Sequence, residues 1–120
     1  MTEFWPTDLK VSKDRRQLSV TYDDGQSFTL PAEMLRVLSP SAEVKGHGPG
    51  QEVTVPGKRN VQISAMHPTG NYAVRIGFDD GHDSGIFTWS YLRELGESGD
   101  DKFAEYEQKL AEKKLSRDAM

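Results

Sequence analysis

The chain has 120 residues, enough for one domain that buries about two-thirds of the surface its unfolded form exposes. Fifteen Lys and Arg against nineteen Asp and Glu give a formal net charge of −4. With only short basic pairs, Arg15 with Arg16 and Lys58 with Arg59, duplex nucleic acid is not an expected partner.

Cysteine is absent, which excludes disulfides, thiolate nucleophiles and thiolate-held zinc or iron–sulfur clusters built by this chain alone. No apolar run approaches the ~18 residues of a membrane span. The opening MTEFWPTDLK lacks the basic and then apolar segments of a secretory signal. A soluble, cytoplasmic protein is expected.

The first 30 residues alternate with the period of two that marks half-buried strands: Leu9 and Val11, then Leu18, Val20 and Tyr22. Asp23, Asp24 and Gly25 form a hairpin turn, since the glycine accepts a positive φ, and Phe28 and Leu30 lie on the return strand. A short helix starts at Pro31, with Met34, Leu35 and Leu38 on its apolar face, and Ser39 and Pro40 end it. Residues 43–58, EVKGHGPGQEVTVPGK, predict a loop with a short strand at 52–55.

RNVQISAM predicts a strand through Val61, Ile63 and Ala65, HPTGN a turn, and YAVRIGF the clearest strand of the chain. A second acidic turn, FDDGHDSG, leads into GIFTW and a short helix, SYLRELG, capped by Thr88 or Ser90 and ended by Gly96. The last 20 residues place Phe103, Tyr106, Leu110 and Ala111 at helical spacing. They predict a separate amphipathic helix of about four turns that packs back on its own domain. Residues 116–120 are expected to be disordered.

YDDG..FTLPAEMLRVL and FDDG...FTWSYLREL share an order of parts: an aromatic residue, Asp-Asp-Gly, Phe-Thr, then a helix carrying Leu-Arg-x-Leu. Two hairpin-plus-helix units related by pseudo-symmetry are the expected consequence. The first copy has no histidine, so turn chemistry alone explains its aspartates. Only the surplus in the second copy, His82, Asp83 and Ser84, calls for a functional argument.

The segments PTDLKV…LSVTYDDGQSFTLP, LRVLSPSAEVKGHGPG and HPTGNYAVRIGFDDGHDSGIFTWSYLREL together resemble a bacterial family of unknown function. That family is similar to the N-terminal domain of gamma-butyrobetaine hydroxylase. The resemblance covers about residues 5–96. In the hydroxylases this domain precedes a catalytic jelly roll holding ferrous iron and 2-oxoglutarate. Nothing in this sequence matches that second domain, so oxygenase activity is not expected. The resemblance implies a structural zinc held by three cysteines and a histidine. The histidine matches His82, whereas Ser39, Ser41 and Val44 stand at the cysteine positions, so the zinc is expected to be lost. Fusion of related domains to iron–sulfur carrier ATPases implies, as an alternative, a metal-binding accessory of iron or iron–sulfur metabolism.

The residues leave three readings of the second turn. Asp79, Asp83, His82 and His47 could hold a cation. Alternatively, His47, Asp80, His82 and Arg93 face a partner protein, with acidic neighbours raising the His82 pKa. In the third reading His82 simply bonds a nearby carboxylate or carbonyl in a structural turn. No GxSxG, HExxH or GxxxxGK[ST] motif occurs, and the adjacent Asp79 and Asp80 would point in opposite directions, so no catalytic residue is assigned.

The expected fold is α+β: antiparallel hairpins in small sheets, short helices and a C-terminal amphipathic helix, with a domain at 1–98 and a helical extension at 99–120. The expected core is Leu18, Val20, Tyr22, Phe28, Leu30, Leu35, Leu38, Val61, Ile63, Val74, Ile76, Phe78, Ile86, Trp89 and Leu92. The expected function is a non-enzymatic binding or adaptor module without cofactor, bound to neither nucleic acid nor membrane, monomeric or weakly homodimeric. A regulatory subunit recruited through the C-terminal helix is a further alternative.

Overall fold

Alternating apolar residues and two Asp-Asp-Gly turns produce two antiparallel meanders in the computed structural model, which describes residues 5–40 and 54–118. The first meander is β1 (Pro6–Val11), β2 (Gln17–Tyr22) and β3 (Ser27–Pro31), in that spatial order. Helix α1 (Ala32–Val37) follows directly. The second is β4 (Ile63–Thr69), β5 (Ala73–Phe78) and β6 (Gly85–Thr88), again in order, followed by α2 (Trp89–Glu112). The repeat of parts legible in the sequence is therefore a repeat of structure. The short strand expected at 52–55 lies largely outside the described residues, and Thr54 and Val55 are not in a strand.

The core forms where the inner faces of both sheets meet the two helices. Leu18, Val20 and Tyr22 of β2, Val74, Ile76 and Phe78 of β5, Leu35 of α1, and Leu92 and Leu95 of α2 are all buried. Each contributes about 2 kcal/mol by leaving water.

Three expectations are corrected. Strand β4 continues through His67, Pro68 and Thr69, and the turn moves to Gly70, Asn71 and Tyr72, with Gly70 at φ +60°. Proline is accommodated there because β4 is an edge strand, where a missing N–H breaks no ladder bond. The register of β6 is also the reverse of the expected one. Phe87 pairs with Val74 and is fully buried, whereas Ile86 pairs with Arg75 and is 44% exposed. One step along a strand changes the face.

The third correction concerns the C-terminal half. The short helix and the amphipathic helix are one 24-residue helix, α2, which runs without interruption across the boundary expected at residue 98. Thr88 caps it, its Oγ1 accepting from the Tyr91 N–H at 3.1 Å. Gly96 does not end the helix but lets it approach the first sheet. A Cβ at Gly96 would lie 2.4 Å from Cγ of Phe28, and one at Gly99 would lie 2.9 Å from Cε of Met34.

The far end of α2 carries the expected stripe. Tyr106 and Leu110 are buried against Val37, with Leu38, Val55 and Phe103 packed around them, and Tyr106 donates its hydroxyl to the Val55 carbonyl. Packing against its own domain is thus observed, and the stripe proposed to recruit a partner is already covered. Residues 116–118, expected to be disordered, are tied down. The carbonyls of Ser116 and Arg117 accept from Gly57 and Arg59. The Arg117 guanidinium donates two 2.7 Å hydrogen bonds to the buried Glu33 carboxylate.

Candidate functional site: the paired acidic turns

Both Asp-Asp-Gly turns have the same backbone design. Tyr22 N–H donates to the Gln26 carbonyl at 2.8 Å, and Phe78 N–H to the His82 carbonyl at 2.8 Å. The Asp24 Oδ1 accepts from Gln26 N–H at 3.1 Å, and the Asp80 Oδ1 from His82 N–H at 3.0 Å. Gly25 and Gly81 stand at φ +87° and +91°, a region in which a Cβ would be strained. The three-residue surplus of the second turn leaves this hydrogen-bonding pattern unchanged.

What distinguishes these turns is where their carboxylates go. Arg93, on the helix that follows the second unit, donates two hydrogen bonds to Asp24 of the first turn, at 3.1 and 2.8 Å. Arg36, on the helix that follows the first unit, donates to Asp80 of the second turn at 2.7 Å. Each Leu-Arg-x-Leu helix therefore clamps the other unit's turn. Arg93 also bonds Glu97 and stacks over the rings of Tyr22 and Phe28, at 5.1 and 5.6 Å. Two tyrosines reinforce the crossing: Tyr22 Oη donates to the Trp89 carbonyl at 2.7 Å, and Tyr91 Oη donates to the Leu38 carbonyl. Desolvation of these two phenols pushes their pKa values up to about 12.

Asp80 has a second cation, Lys58 Nζ at 2.6 Å. Burial alone would raise its carboxyl pKa, but the hydrogen bonds from Lys58, the His82 N–H and Arg36 outweigh that and hold it at about 2. Because the folded-state pKa lies below the unfolded value of 3.8, this contribution is fully present above pH ~4 and fades as pH falls toward 2. Asp80→Asn keeps the bond to the His82 N–H but loses the charge. It should cost about 2 kcal/mol at pH 7, with the deficit against wild type closing between pH 4 and 2 in urea melts. A deficit independent of pH would show that the carboxylate is not held this way.

The candidate residues do not converge. His82 is 5% exposed, and its Nε2 lies 3.1 Å from Oγ of the fully buried Ser39. Its contact with Asp80 is through the backbone N–H. Asp79 Oδ1 caps the Gln62 N–H at 3.0 Å, and Asp83 is turned outward to Arg75. Arg93 and Asp80, expected to face a partner, have side chains only 11% and 16% exposed, taken up by the clamps. His47 lies outside the described residues, as do Ser41 and Val44. Among the described residues no three His, Cys, Asp or Glu side chains gather at metal-binding distance.

The position implied for zinc is thus partly visible. Ser39 and His82 are neighbours, as two ligands of one ion would be, but a serine hydroxyl bonded to the imidazole replaces the thiolate. This pair does not fit a structural zinc.

Sequence reasoning missed Arg36 and Lys58. The signal for Arg36 was present, since the internal echo aligns it with Arg93 and aligns Asp24 with Asp80. Lys58 sits in a glycine-rich stretch with no comparable pattern.

The geometry defines a class: an α+β module of two hairpin-and-helix units cross-clamped through their turns. The chain belongs to the gamma-butyrobetaine hydroxylase-like, N-terminal family, whose pattern matches residues 9–93. No curated protein matches it. Two proteins with NMR solution structures are 45% and 46% identical. They align over 98% of this chain and 92% and 90% of their own, with TM-scores of 0.83 and 0.82. A protein of unknown function in the DUF971 family, from Acidithiobacillus ferrooxidans ATCC 23270, is 37% identical over 76% of this chain and 91% of its own, with a TM-score of 0.63 in its crystal structure.

Proposed function

We propose that this chain is a non-enzymatic binding module, an adaptor that presents a rigid surface to another protein in the cytoplasm. The observation that carries this reading is the crossed pair of clamps. The acidic turns, which hold the densest chemistry in the sequence, have their second aspartates closed by arginines of the other unit. That arrangement serves rigidity rather than turnover. No helix among the described residues is long and apolar enough to cross a membrane.

Crosslinking in cells followed by mass spectrometry tests this reading. A specific protein partner, recovered equally by wild type and Asp80→Asn, is the expected result. Protein purified without tag or chelator should carry no zinc or iron at one-to-one stoichiometry. The reading falls if the purified protein consumes a component of a metabolite extract and a folded His82→Ala variant does not. It falls equally if a stoichiometric metal is present and that variant loses it.

A further inference from the structure

Each meander is a three-stranded sheet with an open edge on either side. Among the described residues β1 pairs only with β2, and β4 only with β5, so each is an edge of its own sheet. The two edges approach each other at the β1–β2 turn, where Ile63 N–H donates to the Arg15 carbonyl at 2.7 Å. An open groove of about 350 Å³ lies there. Val11, Ile63, Ala65 and Met66 line its apolar floor, and Lys13 and Arg15 stand at its rim.

Arg15 is held in an uncommon backbone conformation. Its φ is +60°, which costs a non-glycine residue about 1 kcal/mol. The carbonyl contact to Ile63 and the N–H contact to Ser12 at 2.9 Å hold it there. Among the described residues its guanidinium donates to the carbonyls of Ile63 and Ser64, at 3.5 and 3.4 Å. Among the described residues neither Arg15 nor Lys13 has a carboxylate partner, unlike the arginines of the clamps. Asp14, between them, is turned back onto Ser12 Oγ and the Arg16 N–H. In a chain of net charge −4, an apolar floor beneath two unneutralised cations is locally the opposite of the whole.

We infer that this groove is the adaptor's docking site and takes an extended partner segment in which acidic residues alternate with small apolar ones. The inference deepens the adaptor reading and rests on it. An extended chain fits because its side chains alternate: one set enters the floor while the other meets Lys13 and Arg15. The adjacent edges supply backbone groups for strand addition. The tail of this chain is not the occupant, because residues 116–118 are held elsewhere, against Gly57 and Arg59. Two cations are too few for a nucleic-acid or membrane footprint, and the floor is a groove rather than a flat patch.

The test is titration of the ¹⁵N-labelled full chain with two synthetic octapeptides, one alternating glutamate and valine, the other lysine and valine. The acidic peptide should give saturable amide shifts centred on residues 11–15 and 63–66, and the basic peptide should give none. Lys13→Glu, a change in an exposed turn, should weaken the acidic peptide about fivefold. The inference is overturned by silence at about 1 mM peptide, by shifts centred elsewhere, or by equal response to both peptides. It is also overturned if adding unlabelled protein alone reproduces the shifts, which would make the groove a contact between copies of this chain. A partner captured by crosslinking alongside a silent titration removes the groove and leaves the adaptor. Absence of any captured partner removes both.

Discussion

Deleting residues 100–120 should unfold the domain rather than free it from a partner. The deletion uncovers the surface on which Tyr106 and Leu110 are buried, a loss of about 2 kcal/mol for each side chain. It also strips Arg117 from Glu33, whose side chain is 7% exposed. Leaving a buried carboxylate unpaired costs about 3 kcal/mol. Together these losses approach the whole stability of a typical domain, about 5–15 kcal/mol. Collapsed amide dispersion in the truncated protein is the expected result, with Arg117→Ala alone lowering stability by about 3 kcal/mol in urea melts. A truncated protein that still melts cooperatively near the wild-type temperature would show that the end of α2 is an appendage. It would also revive recruitment through that helix, which the observed packing disfavours.

Gly96→Ala should destabilise the protein even though alanine is the better helix former. Intrinsic preference favours alanine by about 1 kcal/mol inside a helix. Against this, the new Cβ would stand 2.4 Å from Cγ and 2.8 Å from Cβ of Phe28. The Phe28 ring lies beneath the Arg93 guanidinium, edge-on to Tyr22 at 6.0 Å. Because the Phe28 Cβ is fixed by its strand, rotating the ring does not clear the overlap. Overpacking of this kind costs about 1–3 kcal/mol, so after the helix-propensity gain the net expectation is a loss of about 1 kcal/mol, or roughly 4 °C in Tm. Ser98→Ala, at an exposed position of the same helix, should be neutral. Phe28→Ala, which removes Cγ but keeps the Cβ at 2.8 Å, should lessen the cost of Gly96→Ala without abolishing it in a double-mutant cycle. A Tm for Gly96→Ala at or above wild type would show that α2 does not depend on Gly96 for its clearance from Phe28.

Gly96 also shows why part of the architecture was hidden. Glycine after an apolar helical stretch is a stop signal when only the neighbouring residues are considered. Here it is a clearance for Phe28, distant in sequence, and a local pattern cannot distinguish the two uses. Ile86 and Phe87 make the same point for a strand. Both are apolar, and a four-residue strand contains too few alternations to say which faces inward until Val74 sets the register. The candidate site divides likewise. The turn bonds of Asp24 and Asp80 span two residues, and their type was legible from Asp-Asp-Gly alone. The roles of Arg36, Arg93 and the His82–Ser39 pair were not.

The chain's own order of residues determined the two meanders, their acidic turns, the helix after each and the duplication that relates them. Each of these depends on contacts between near neighbours and on the alternation of apolar and polar side chains. Only the folded molecule decided that the two units are crossed, with Arg36 reaching 44 positions to Asp80 and Arg93 reaching 69 positions back to Asp24. Partners so far apart in the chain are selected by the packing of the sheets and helices between them, and no local propensity encodes that choice.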